Sequence, residues 1–133
     1  MKAIFKKIGK GNIKFKMVSR KRIGEEGERI AVQYLEKNGY QIIERNFRCR
    51  RGEIDIIAWK ENEIIFVEVK TRTSKICGNP AEAVTKRKKK HLYLAAGYYM
   101  MLRKIEEYPA RIDVIEILHE NRQYVVHHIR QVY

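Results

Sequence analysis

The stretch from Gly52 to Arg72, GEIDIIAWKENEIIFVEVKTR, constrains this chain more than any other. Apolar β-formers alternate with acids on either side of a Lys60-Glu61-Asn62-Glu63 break, which predicts a hairpin of strands over residues 53–59 and 64–71. The period of two puts Glu53 and Asp55 on one face of the first strand and Glu68 and Lys70 on one face of the second. A turn centred between Glu61 and Asn62 sets Asp55 opposite Glu68 and Glu53 opposite Lys70, with Cβ atoms roughly 4.5–5.5 Å apart. Two carboxylates that close raise each other's pKa unless a cation lies between them. The pattern therefore predicts a divalent metal held by Asp55 and Glu68, with Lys70 beside them. A register slip of one residue would send the acids to opposite faces, and a solvated strand face of alternating Glu and Lys is the competing explanation.

At 133 residues the chain is expected to form one domain that buries roughly two thirds of its unfolded surface in a single core. Cys49 and Cys77 stand apart, with no CxxC and no His at ligand spacing, so free thiols in a reducing cytoplasm are expected rather than a zinc site or a disulfide framework. The four histidines, including the pair His127 and His128, are expected on strand or helix surfaces. The net charge of +13 points to a polyanionic partner. Much of it lies in residues 1–22, where nine Lys or Arg stand without an acid. That stretch is read as a flexible basic arm, able to contact phosphate or an anionic membrane surface or simply to be solvated. No apolar run approaches the roughly 18 residues of a membrane span.

A first helix is expected over residues 23–37, from Ile23, Ile30, Ala31, Tyr34 and Leu35 at helical spacing and the Asn38-Gly39 stop. Glu26 and Glu28 lie on opposite rims of its apolar stripe, and the pattern does not choose which looks inward. Residues 40–47 read as a strand, followed by a basic turn with Arg48, Arg50 and Arg51 that would suit phosphate positioning. A second helix follows, starting at residue 81 or 83 and ending near 105. Val84, Leu92, Ala95, Tyr99 and Leu102 line its core face, and Lys88 falls on that line, so it either snorkels outward or reaches an anion at the sheet. Strands over 111–118 and 123–129 close the chain. The order of helix, three strands, helix and two strands predicts an α/β fold with a mixed five-stranded sheet, the second helix crossing over to a parallel strand.

Asp55 and Glu68, with the main-chain carbonyl of Val69, would suffice as hard ligands for Mg²⁺, which keeps several waters. Such a site suits hydrolysis of a phosphodiester, with Lys70 positioning the attacking water or stabilising the transition state. Nucleotide-loop, dinucleotide-fold, zincin and serine-triad motifs are all missing, so nucleotide-driven, redox and acyl-transfer chemistries have no support.

Asp55 followed across a hairpin by Glu68-Val69-Lys70 resembles the PD-(D/E)xK signature of restriction-endonuclease-like nucleases, although Ile54 stands where that signature has proline. The longer text is more specific: Gly24-x-x-Gly27-Glu28-x-x-Ala31, Gly39-Tyr40, Asn46, Gly52-Glu53-Ile54-Asp55, Phe66 to Arg72, Ala83-Val84 with Lys88, and Arg111-Ile112-Asp113-Val114. Over about residues 22–118 it is similar to the YraN-like family of bacterial proteins, related by fold to archaeal Holliday-junction resolvases. The resemblance implies a restriction-endonuclease-like three-layer fold over residues 23–133 and a Mg²⁺- or Mn²⁺-dependent DNA endonuclease, with branched DNA among its expected substrates. It also implies that Glu28 rather than Glu26 joins the site, that Asp55 and Glu68 hold the metal, that Lys70 is the base or stabiliser, and that Lys88 turns inward. Arg50, Arg51, Arg72, Lys86 and Lys88 are the expected nucleic-acid contacts. About residues 1–22 it says nothing. A non-catalytic nucleic-acid-binding accessory on the same fold is the alternative. A homodimer would suit symmetric cutting of two strands, and no residue marks its interface.

Overall fold

Strands rich in Ile and Val form the centre of the molecule because both their faces are covered. The computed structural model describes residues 3–10, 20–72, 85–120 and 122–132, with side chains from Gly24 onward. Its elements are β1 (Ala3–Lys10), α1 (Arg20–Lys37), β2 (Gln41–Cys49), β3 (Gly52–Lys60), β4 (Glu63–Arg72), α2 (Lys86–Arg103), β5 (Ala110–Glu120) and β6 (Gln123–Ile129). From α1 to β6 this is the expected order of helix, three strands, helix and two strands. The sheet order is β1-β6-β5-β4-β3-β2. Among the described strands only β4 and β5 pair in parallel, and α2 lies in the connection between them.

One helix covers each face. Ile30, Ala31, Tyr34 and Leu35 of α1 pack on Ile56, Ala58, Ile65, Val67, Ile115 and Ile117. Leu92, Ala95, Ala96 and Tyr99 of α2 pack on Ile54, Ile57, Ile64, Phe66, Ile112 and Val114 on the other side. This two-sided cover explains why β5 is buried without interruption from Ile112 to Ile117, where an alternating strand would show every second residue to water.

The β3–β4 hairpin closes on Glu61 and Asn62, both in the left-handed region at φ 50° and 62°, as two-residue hairpin turns require. Lys60 faces Glu63, Trp59 faces Ile64 and Ile56 faces Val67, which is the register expected from the sequence.

Gly27 sets how closely α1 approaches the sheet, since a Cβ built there would fall on Thr71 Oγ1 of β4. Gly27→Ala is expected to lose about 1–3 kcal/mol through this overpacking. Chemical denaturation checks it, and Gly27→Ala with Thr71→Ala should recover part of the loss.

Three expectations are corrected here. The N-terminal stretch read as an arm contributes Ala3–Lys10 as an edge strand antiparallel to β6, from Ala3 opposite Ile129 to Lys10 opposite Gln123. A lysine-rich strand with one neighbour lacks the apolar alternation that would announce it. His127 and His128 are buried, not on the surface, because β6 lies inside the sheet between β1 and β5. Leu102, expected in the core stripe of α2, is exposed. The buried line follows Leu92, Ala95, Ala96 and Tyr99, and Leu102 in the last turn has rotated off it. Val84 and Cys77 lie outside the described residues.

Candidate active site

The regular β3–β4 ladder runs to Ile56 opposite Val67, and the candidate site begins where it stops. Continued by one step, the register brings Asp55 to Glu68. The Val69 amide donates to Asp55 Oδ2 at 2.8 Å, so a side chain accepts from the main chain there. Ile54 packs on the α2 face while Ile56 packs on the α1 face, although two residues along a regular strand share a face. The backbone therefore rotates at Asp55. On the neighbouring strand, Arg45 pairs with Ile56 and Phe47 with Ile54, which places Asn46 beside Asp55. Asn46 sits at φ 54°, a conformation that Asn tolerates better than most residues. This local twist lets one carboxylate, Asp55, feel groups from both helices.

Glu68 is the most enclosed member, its side chain 5% exposed. Lys70 Nζ lies 3.6 Å and Lys88 Nζ 3.5 Å from the same Glu68 Oε1. Of the two readings left open for Lys88, the inward one is therefore seen. Thr85 caps α2, its side chain accepting from the Lys88 amide at 3.1 Å, which fixes the turn that carries this lysine. Burial, followed by the Asp55 charge, pushes the Glu68 carboxyl up to about 7 despite both lysines. Burial also raises Asp55, the Val69 hydrogen bond only partly offsetting it. The pair is held together in a place where neither carboxylate is comfortable as an anion.

Glu28 on α1 is raised first by burial and then by the Asp55 charge, and Arg45 and Asn46 oppose the shift. Its ion pair is with Arg45 at 3.7 Å. Glu26 instead takes both its contacts from Arg29, one turn along the same helix. So Glu28 is the helix acid that senses the site. Yet among the described residues no three His, Cys, Asp or Glu side chains come together as a metal-ligand group. Glu28 acts on Asp55 through its field and stays tied to Arg45.

The remaining candidates disperse. Glu53 pairs with Arg48 at 3.2 Å and not with Lys70. Arg50 and Arg51 are exposed on the β2–β3 turn, and Lys86 is exposed in the first turn of α2. Arg72 is largely covered and lies 3.8 Å from Glu116, a carboxylate directly across from Lys70 on β5. Sequence reasoning gave no role to Asn46 or Glu116. An asparagine, a residue that tolerates positive φ, inside a strand pattern was the available signal for the first; nothing in the pattern marked the second.

A second polar cluster lies near the start of β4 and β5, on the α1 face. Asp113 is fully buried and accepts from Arg111 Nε at 3.0 Å, from the Gln131 amide at 3.1 Å and from His128 Nε2 at 2.7 Å. The acceptor-only carboxylate requires the proton on Nε2, and the other ring nitrogen, His128 Nδ1, lies 3.0 Å from the Tyr34 hydroxyl. Arg111 also reaches Glu63 and the Tyr40 hydroxyl. This network ties α1 to three strands, β4, β5 and β6, away from Glu68.

A mixed sheet with one helix per face and an Asp–Glu–Lys cluster where a hairpin opens defines the class: α/β proteins with a buried acidic site at the point where two strands part. Within that class the chain belongs to the uncharacterised protein family UPF0102, whose family model matches residues 27–117. It is similar to a UPF0102 protein of Caldanaerobacter subterraneus subsp. tengcongensis, 48% identical over 102 residues, covering 77% of this chain and 84% of that one. A UPF0102 protein of Clostridium perfringens is 52% identical over 97 residues, covering 73% and 80%. Among solved structures, that of Pyrococcus furiosus SfsA in complex with Ca²⁺ overlaps 91% of this chain and 68% of that one, with a TM-score of 0.38 and 16% identity. No helix among the described residues is long and apolar enough to cross a membrane.

Proposed function

We propose that this protein is a metal-dependent DNA endonuclease that hydrolyses phosphodiester bonds, with Asp55, Glu68 and Lys70 at its centre. The observation that carries the reading is the juxtaposition of buried Glu68 and half-buried Asp55 with two ammonium groups on one Glu68 oxygen. Burying like charges in contact is costly without a cation, so the donor set suits a hard divalent ion. Asp55 and Glu68 would hold Mg²⁺ or Mn²⁺ with the Val69 carbonyl, waters completing the shell. When bound, such an ion lowers the pKa of a water and neutralises charge on a phosphoryl oxygen.

The side chains of this chain supply the rest. Lys70 and Lys88 are each more than a third exposed, so their ammonium groups face both Glu68 and the open side, where a phosphate would lie. Lys70 orients the attacking water, or donates to the phosphate oxygen that gains charge. Water adds at phosphorus, and the sugar oxygen leaves with the bonding pair and takes up a proton. Arg50, Arg51 and Lys86, all exposed, would contact the DNA backbone outside the site, while the Glu116 contact leaves Arg72 a lesser part.

A second reading, a nucleic-acid-binding accessory without turnover, is favoured by one observation: no third ligating side chain joins Asp55 and Glu68 among the described residues. A cleavage panel separates the two. Linear, single-stranded and four-way-junction DNA are incubated with Mg²⁺ or Mn²⁺ and wild-type, Asp55→Ala or Lys70→Ala protein. Cleavage by wild type that disappears in both variants is the expected result. Cleavage that survives both belongs to another site or another protein. Salt-sensitive binding with no cleavage under any of these conditions establishes the accessory reading.

A further inference from the structure

Helix α2 opens on an unbroken basic run, Lys86 to Lys90, and has no acid anywhere from Lys86 to Arg103. That arrangement works against the helix. The positive end of the macrodipole favours acids in the first turn, and like charges three and four apart, as Lys86 stands to Lys89 and Lys90, destabilise each other. One member of the run is accounted for, because Lys88 turns inward to Glu68 at 3.5 Å. Among the described residues no carboxylate forms an ion pair with Lys86, Arg87, Lys89 or Lys90. The charge they concentrate is left for an anion from outside the chain.

Lys86, Lys89, Lys90 and Tyr93 stand at i, i+3, i+4 and i+7, the spacing of one helix face. With Leu94 they line a common depression of about 400 Å³. Lys86 and Lys90 are exposed and Lys89 is half-buried, and Tyr93 is 54% exposed. A neighbouring depression of about 540 Å³ shares Tyr93 and Leu94 with the first and reaches Arg51, with Glu106 the one acid on its wall. The tyrosine therefore lies in a recess with cations on both sides.

We propose that this face of α2 binds an unpaired strand of DNA, its phosphates on Lys86, Lys89 and Lys90 and one base stacked on the Tyr93 ring. The lysines alone would suit any polyanion. Tyr93 narrows the choice. In a duplex the base faces are stacked inside, and side chains meet only phosphates and groove edges, whereas an unpaired base offers its π-face to an aromatic ring. A membrane surface fits less well, because interfacial helices carry their lysines and their aromatics on opposite faces, and here they share one.

The geometry stands without the nuclease reading, although its use rests on that reading and names a substrate class for it. Tyr93 lies about 7.5 Å along the helix axis from Lys88 by the usual rise per residue, and is turned away from it around the helix. A strand on this face would pass the first turn of α2 to reach Glu68. The substrate would then be DNA with a single-stranded stretch beside the bond that is cut.

Fluorescence anisotropy of the full chain in EDTA, where no metal-dependent cleavage occurs, tests the proposal. The probes are a short mixed-sequence DNA strand, its blunt duplex and the RNA of the same sequence, with anionic vesicles as a competitor. Circular dichroism serves as the folding control. Wild type is expected to bind the single strand more tightly than the duplex. Tyr93→Ala should weaken single-strand binding about tenfold or more, the effect of losing one stacked base, while duplex binding stays unchanged. Tyr93→Phe should bind as wild type does. Lys86→Ala with Lys90→Ala should weaken both and lower the single-strand salt slope by about 1.4. Equal loss of single-strand and duplex binding in Tyr93→Ala, or loss of neither, overturns the proposal. So does tighter binding of the RNA, or displacement of the DNA by vesicles from wild type and not from the lysine variant. Because the readout is binding without metal, a Tyr93 effect confined to the single strand would retain this surface even if no DNA is ever cut. Cleavage that is indifferent to Tyr93, with no single-strand preference, would retain the nuclease reading and remove this one.

Discussion

Asp113→Ala is expected to cost about 3–5 kcal/mol of folding stability, the range found when one partner of a buried ion pair is removed. The Asp113 carboxylate is fully buried and accepts hydrogen bonds from three directions, Arg111, His128 and the Gln131 amide. Deleting it leaves the Arg111 guanidinium, 13% exposed, with only Glu63 to answer its charge, and leaves a buried imidazole N–H without an acceptor. Water has little access to either group, since Asp113 and His128 are fully buried. The effect should show in urea denaturation as a lower midpoint with an unchanged slope. Burial pushes the Asp113 carboxyl up, but hydrogen bonds from His128 and Arg111 outweigh it and hold the group below its ordinary value of 3.8. A carboxyl depressed in the folded state contributes stability above its unfolded pKa and loses it as pH falls through the folded one. The difference between wild type and Asp113→Ala should therefore be full at neutral pH and shrink below about pH 4.

How far the sequence predicted this structure depends on what kind of signal each feature left. The β3–β4 register was legible because two things specified it together: the two-residue turn and the alternation that needs Ile56 and Val67 on the same side. Lys88 was legible as an anomaly, one charge on a helix line that should be apolar. The buried Asp113 network was not, because each member is ordinary alone and the cluster exists only after residues 34, 111 and 128 are brought together. The rotation at Asp55 was also hidden. It depends on Asn46 at a positive φ across the ladder, and strand periodicity assumes that no such break occurs.

Glu68 separates stability from the proposed chemistry. Its carboxyl is raised to about 7, so between its ordinary pKa of 4.5 and about 7 the folded state binds more protons than the unfolded one. Stability must then fall as pH rises through that window. For a group shifted this far, the loss is at most about 3 kcal/mol. Glu68→Gln removes the charge and keeps the shape, and Lys70 and Lys88, each partly exposed, can turn to water. The metal-free variant is accordingly expected to melt higher than wild type at pH 8, by on the order of 5 °C, and to show little advantage at pH 5. Mg²⁺ should close the gap by stabilising wild type at pH 8 and not the variant, since ligand binding to the folded state adds stability by mass action. If Glu68 serves the proposed hydrolysis, the same substitution should lower cleavage by about 10³-fold, because it weakens the hold on the ion that would neutralise the developing charge. A variant that melts lower than wild type at pH 8 would show that Glu68 is a structural ion-pair partner of Lys70 and Lys88. In that case electrostatic strain would not be the reason for placing a carboxylate beside Asp55.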